Sequence, residues 1–174
     1  MIEIRAYEPR DEIHVIRLWE ECGLVVPWNS PIRDIRRKYE VQPEMFLVCS
    51  MSNKIIATVM AGYDGDRGWI NYLAVHPDHH RTGIGGRMME EAEILLRAAG
   101  CPKINLQVRK TNTNVIEFYK KIGYKADDVI SLSKRLVPDD WAEPFAPPDS
   151  GQKAALTGEQ FVRTYKKTDD IMLK

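Results

Sequence analysis

The chain has 174 residues, 44% hydrophobic and 29% charged, with a formal net charge of +0. That is enough for one soluble globular domain with a sizeable core. The balanced charge argues against a general nucleic-acid or membrane-surface binder. Its three scattered cysteines, Cys22, Cys49 and Cys101, suggest neither a disulfide framework nor a zinc knuckle.

Ile2 to Tyr7 alternates and predicts a short strand. Pro9 and Asp11 open a helix whose apolar positions Ile13, Val15, Ile16, Leu18, Trp19 and Cys22 form one broad stripe, ended by Gly23. Leu24 to Asn29 is a loop, and Ser30-Pro31 starts a second helix through about Val41. Phe46 to Met51 and Lys54 to Tyr63 are strands joined at Ser52-Asn53. A turn at Asp64-Gly65-Asp66 leads into a strand from Trp69 to Val75, so these three strands run antiparallel.

Pro77 stops that strand, and a glycine-containing loop leads into a long helix. Gly85, Met88, Met89, Ala92, Leu95, Leu96 and Ala99 share one face, and Gly100 caps it. Lys103 to Arg109 alternates as a strand. Asn112 to Ile122 is a helix presenting Val115, Phe118, Tyr119 and Ile122, ended by Gly123. Val129 to Leu136 reads as a final strand.

The expected fold is α/β, a mixed sheet of about six strands flanked by about four helices. The unit from Trp69 to Arg109 should be parallel and right-handed. The domain is expected over residues 1–138. Pro138, Pro144, Pro147 and Pro148 mark residues 139–174 as an extended C-terminal stretch; a surface tail is the favoured reading, and a short helix from about Ala154 to Lys167 the alternative.

The chemistry concentrates between Leu73 and Arg87. A glycine-rich turn opening a helix exposes unpaired main-chain N–H groups, and the helix dipole adds positive potential there. Glycine lets that backbone approach a ligand closely. Together these predict a phosphate site over His80, Arg81, Thr82, Gly83, Ile84, Gly85, Gly86 and Arg87, with the two arginines free to pair with phosphate charge. A P-loop needs Gly-Lys-Ser/Thr, and this loop continues Gly85-Gly86-Arg87. A dinucleotide fingerprint needs a small residue where Met88 stands.

Leu73-Ala74-Val75-His76-Pro77 followed by His80-Arg81-Thr82-Gly83-Ile84-Gly85 instead resembles the GNAT acetyltransferase superfamily. Its loop reads Gln/Arg-x-x-Gly-x-Gly/Ala, so His80 departs from that pattern. Asn112 to Tyr124 resembles the superfamily's Asn-x-x-Ala-x-x-x-Tyr-x-x-x-Gly-Phe/Tyr segment, with Val115 in place of Ala. Pro27-Trp28-Asn29 and Gly62 to Gly68 are similar to a bacterial branch of YpeA-like members.

The resemblance implies an N-acetyltransferase that uses acetyl-coenzyme A as co-substrate, with direct transfer to a primary amine of a small molecule or peptide. It implies that Leu73, Ala74 and Val75 border the donor, with main-chain N–H groups around Ala74 and Val75 facing the oxyanion. It implies that Asn112 bonds the pantetheine arm and that the Tyr119 hydroxyl lies near the sulfur as proton donor. Trp28, Asn29, Asp64 and Asn71 are candidates for the acceptor side. No general base stands out: Asp64, Asp66 and Glu117 qualify by chemistry, and a water relay held by Asn71 and Tyr72 is the preferred reading. The competing function is a non-catalytic acyl-coenzyme A-binding module.

His76, His79 and His80 lie close in sequence, but Pro77 breaks any ligand spacing, so no metal is expected. The run Arg33, Arg36, Arg37, Lys38 reads as a solvated helix face. The first residues lack the basic-then-apolar pattern of a signal peptide, and a cytoplasmic location is the expectation. No nucleic-acid or membrane partner is expected, and a homodimer, common in such folds, stays open.

Overall fold

The computed structural model describes residues 2–137. Five strands form one sheet in the order of the chain: β1 (Ile2–Ala6), β2 (Phe46–Met51), β3 (Lys54–Tyr63), β4 (Gly68–Val75) and β5 (Ile104–Leu106). The first four pair antiparallel, and β4 pairs with β5 in parallel. Four helices complete the fold: α1 (Glu12–Glu21), α2 (Pro31–Glu40), α3 (Ile84–Ala98) and α4 (Thr113–Lys121). The expected mixed α/β architecture is therefore present. The expected tail, with its alternative short helix, lies outside the described residues.

Local chemistry explains the joints. Ser52 and Asn53 have φ of 50° and 62°, the pair of positive values a type I′ hairpin needs between β2 and β3. Ser30 caps α2 by accepting from the Arg33 N–H, and Pro31 stands at the first helical position. Arg5 grips the Asp11 carboxylate at 2.7 and 2.9 Å, and Asp11 also accepts from the Glu8 N–H, fixing the entry to α1.

Each sheet face has its own core. α3 and α4 cover one face, where Met88, Met89, Ala92 and Leu96 pack on Val59, Ala61 and Ile70. α1 and α2 cover the other, where Trp19 and Ile35 pack with Phe46 and Val48. Trp19 is fully buried, a position where truncation to alanine costs about 3–5 kcal/mol.

Three expectations need correction. Ile13 is 59% exposed, because it lies about 140° from the centre of the stripe that Val15, Ile16, Leu18 and Trp19 bury. The strand expected from Lys103 to Arg109 is regular only over Ile104–Leu106, because β4 leaves its ladder after Ile70. Val129 to Leu136 forms no strand, and its apolar side chains lie open, Leu132 at 90%. Side chains tie it and the residues just before it to the β5 region instead: Lys103 Nζ donates to Asp127 at 2.6 Å and Gln107 Nε2 to Ser131 at 2.6 Å.

Candidate active site

β4 changes character part-way along. Met60 pairs with Asn71 and Thr58 with Ala74, so Val59 alone faces both Tyr72 and Leu73. That is a β-bulge, and Tyr72 takes it with φ of 51°. The extra residue swaps the faces. Ile70 packs toward α3 before the bulge; Leu73 and Val75 do so after it, while Tyr72 and Ala74 turn to the α1 side. β5 follows β4 only as far as the Ile70–Leu106 pair. The two strands therefore diverge beyond the bulge.

The open edge carries donors. The His76 N–H bonds the Ile56 carbonyl, so by ladder alternation Ala74 exchanges bonds with Thr58. The main-chain groups of Val75 then point away from β3, into the gap. The Val75 carbonyl is met there by Cys22 Sγ at 3.3 Å and His80 Nε2 at 2.8 Å. His80 thus folds the loop back onto the end of β4, a bond made by its Nε2–H tautomer.

The glycine loop begins α3 beside this edge. Gly83 is left-handed, φ 87°, where side chains are strained. The Arg87 N–H is bonded to the Gly83 carbonyl at 3.1 Å. The N–H groups of Ile84, Gly85 and Gly86 precede it in the first turn, where no intrahelical acceptor exists. A Cβ on Gly85 would stand 3.3 Å from Phe118 and 3.6 Å from Val75, so β4, α3 and α4 meet at that glycine. A Cβ on Gly86 would meet nothing within 4 Å.

α4 supplies Tyr119, which is buried in the core cluster that Leu73, Val75 and Phe118 pack against. Phe118 and Tyr124 meet its ring edge-on at 5.1 and 5.5 Å. Burial pushes its phenol up to about 12, so it stays protonated at neutral pH.

A strand with a withdrawn neighbour, beside bare helix-start amides, suits a ligand with a phosphate end and an extended amide-bearing arm. Residues 13–124 match the model of the acetyltransferase (GNAT) family. This chain belongs to the GNAT acetyltransferase family. It is 46% identical over 138 residues to the acetyltransferase YE1169 of Yersinia enterocolitica, covering 79% of this chain and 98% of the relative. Ard1 from Thermoplasma volcanium is similar at 27% identity and a TM-score of 0.62, over 70% of this chain and 81% of its own. AAC(6')-Iy, solved with a coenzyme A bisubstrate analogue, shares the fold with a TM-score of 0.66 at 14% identity, over 78% and 99% of the two chains.

The remaining expected residues of this acetyltransferase fall into separate groups. Asn112 begins α4, and its carbonyl accepts from the Ile116 N–H. Thr82 turns its hydroxyl to the His79 carbonyl at 2.6 Å, bracing the loop. Arg81, with φ of 60°, and Arg87 are exposed on either side of the glycine turn. Trp28 is 53% exposed in the loop between α1 and α2. Asn29 Oδ1 accepts from Arg135 at 3.4 Å. Asn71 is exposed on β4 just before the bulge.

Asp64 stands elsewhere. Its carboxylate accepts from the N–H groups of Asp66 and Arg67 and from the Trp69 indole, closing the turn before β4. Those bonds, led by Arg67, hold its carboxyl below the usual range. Glu117 pairs with Lys120 at 2.8 Å on the exposed side of α4. His76 lies 3.1 Å from Glu21 and caps the turn at Asp78. Among the described residues, no three His, Cys, Asp or Glu side chains are grouped to hold a metal ion.

Sequence reasoning missed the partner of Tyr72. Its hydroxyl donates to Asp34, and its ring stacks on Trp19 at 4.0 Å. Asp34 lies beside Arg33 in the basic stretch of α2, where nothing local marks it out. Only the fold brings α2 over the bulge. Among the described residues no helix is long and apolar enough to cross a membrane.

Proposed function

We propose that this acetyltransferase moves the acetyl group of acetyl-coenzyme A to a primary amine of a small molecule or peptide, by direct attack on the thioester. The observation that carries the reading is the meeting of Val75, Gly85 and Phe118 at the divergence of β4 from β5. The parts of the donor have matching surfaces there. The first-turn amides from Ile84 to Gly86, with Arg81 and Arg87 beside them, suit the diphosphate. The β4 edge suits an arm with two amides, and Asn112 at the start of α4 is a further polar contact for it. A protein of the same fold holds a coenzyme A bisubstrate analogue, which supports the choice.

In this reading the Val75 N–H faces the acyl oxygen and stabilises the charge that forms on it. Tyr119 gives its proton to the departing sulfur. Burial keeps the phenol protonated until that step. An alkyl amine has a pKa of about 10 and arrives protonated, so it needs a proton acceptor. Asn71 with the Tyr72–Asp34 pair is the route by which a water relays that proton away.

The acceptor side draws on Trp28 and Asn29, between α1 and α2. Release of free thiol from acetyl-coenzyme A, followed across a panel of amino acids, polyamines, peptide N-termini and aminoglycosides, tests the proposal. Amine-dependent release is expected. Coenzyme A binding without release on any amine refutes the amine acceptor.

A further inference from the structure

The bulge in β4 requires something to hold it. Tyr72 is not a glycine, yet it sits at φ of 51°, a conformation that persists only when its surroundings impose it. Two bonds in the buried core under α1 do this. The Trp19 indole N–H donates to the Thr58 hydroxyl at 2.9 Å, and that hydroxyl donates to the Tyr72 carbonyl at 2.9 Å. Thr58 and Trp19 are both fully buried, and the Trp19 ring also stacks on Tyr72.

Thr58 occupies the β3 position that pairs with Ala74, immediately after the bulge. It therefore acts on both sides of the irregularity. Its main chain sets the register of Ala74, and its hydroxyl sets the turn of Tyr72. A valine has nearly the same shape and could do neither bond. It would take the acceptor from the buried Trp19 indole N–H and remove the hydroxyl that donates to the Tyr72 carbonyl.

We infer that Thr58 is a positioning residue for the acyl donor: Trp19 and Thr58 lock the Tyr72 bulge so that the open edge of β4 presents Val75 to the pantetheine arm. This rests on the acetyl-coenzyme A reading above. The residue never touches the donor. Its effect passes through the carbonyl of Tyr72 to the direction of the β4 edge, and it should leave the glycine loop alone.

That separation defines the test. Coenzyme A engages both the loop and the β4 edge, whereas adenosine 3′,5′-bisphosphate lacks the arm. Calorimetric titration of both ligands into wild type, Thr58→Val and Thr58→Ser distinguishes the two contacts. Thr58→Val should weaken coenzyme A about tenfold, the worth of one misplaced hydrogen bond. The bisphosphate should bind all three proteins alike, and Thr58→Ser, which keeps the hydroxyl, should restore coenzyme A affinity. Should Thr58→Val not fold, Thr58→Ala, which removes the hydroxyl and sets no methyl against the Trp19 indole, is read the same way.

Unchanged coenzyme A affinity in the variant, or equal loss of both ligands, overturns the inference, since the second outcome marks a general structural role. A serine variant as weak as the valine variant overturns it too. Wild-type protein that binds no coenzyme A overturns the acyl-donor reading itself, and the inference falls with it.

Discussion

The two halves of β4 share one backbone and differ in what their far edge meets. Gly68 to Ile70 are laddered to Ile104–Leu106, and the turn before them is closed by Asp64. Packing there is tight enough that a Cβ on Gly68 would come within 2.8 Å of Cys101 Sγ. Leu73 to Val75 have no β5 partner, and the bulge at Tyr72 has turned them onto new faces. The first half is saturated and holds the sheet together. The second turns the Val75 main chain away from β3, with its carbonyl taken by Cys22 and His80 and its N–H facing the gap. One extra residue in the strand separates a paired edge from an open one.

The largest effect expected from breaking that division is at Tyr119. Tyr119→Phe should lower kcat by roughly 10²-fold or more, the usual worth of a positioned acid, with coenzyme A affinity nearly unchanged. Steady-state kinetics beside calorimetry reads both. The pH profile sharpens the assignment. The rate should rise with pH as the amine loses its proton, and Tyr119, held at about 12, should cause no fall before that range. A wild-type alkaline decline near pH 9 that survives in the phenylalanine variant belongs to another group. Unchanged turnover in that variant removes Tyr119 from the mechanism.

A smaller loss is expected at the loop. Gly83 holds φ of 87°, and a β-branched side chain there forces the turn out of shape. Gly83→Val should weaken coenzyme A by about tenfold or more, a strain of one to a few kcal/mol expressed in binding. Protection of the protein from thermal melting by coenzyme A should fall with it. Protection equal to wild type would show that the loop does not carry the diphosphate.

Local signals carried much of this fold in the sequence. Hairpin residues, helix caps and apolar periodicity mark elements that neighbours in the chain determine. The glycine turn was legible for the same reason, since φ of 87° at Gly83 is a local demand. The bulge was not. Nothing in Asn71-Tyr72-Leu73 announces a register shift, because Thr58, Trp19 and Asp34 impose it from distant parts of the chain. The shortness of β5 follows from the same event, as a strand continues only while its partner does. Val129 to Leu136 has the alternation of a strand without a main-chain ladder among the described residues, and pattern alone does not supply one.

The least effect on chemistry is expected from the saturated half. Asp64→Ala removes the carboxylate that three donors share, so the turn before β4 should loosen and the melting temperature should drop by a few degrees. Turnover at a temperature where both proteins are folded should match wild type, because the turn and the open edge lie at opposite ends of β4. The pH dependence has a definite sign. The Asp64 carboxyl is depressed in the folded protein, chiefly by the Arg67 N–H. Its contribution is therefore present above the ordinary carboxylate pKa and is lost as pH falls through the depressed value. The gap in melting temperature between wild type and Asp64→Ala should be full at neutral pH and close in strong acid. If the variant instead loses turnover at full stability, Asp64 belongs to the acceptor side, and the division of β4 into scaffold and site fails at the turn that leads into it.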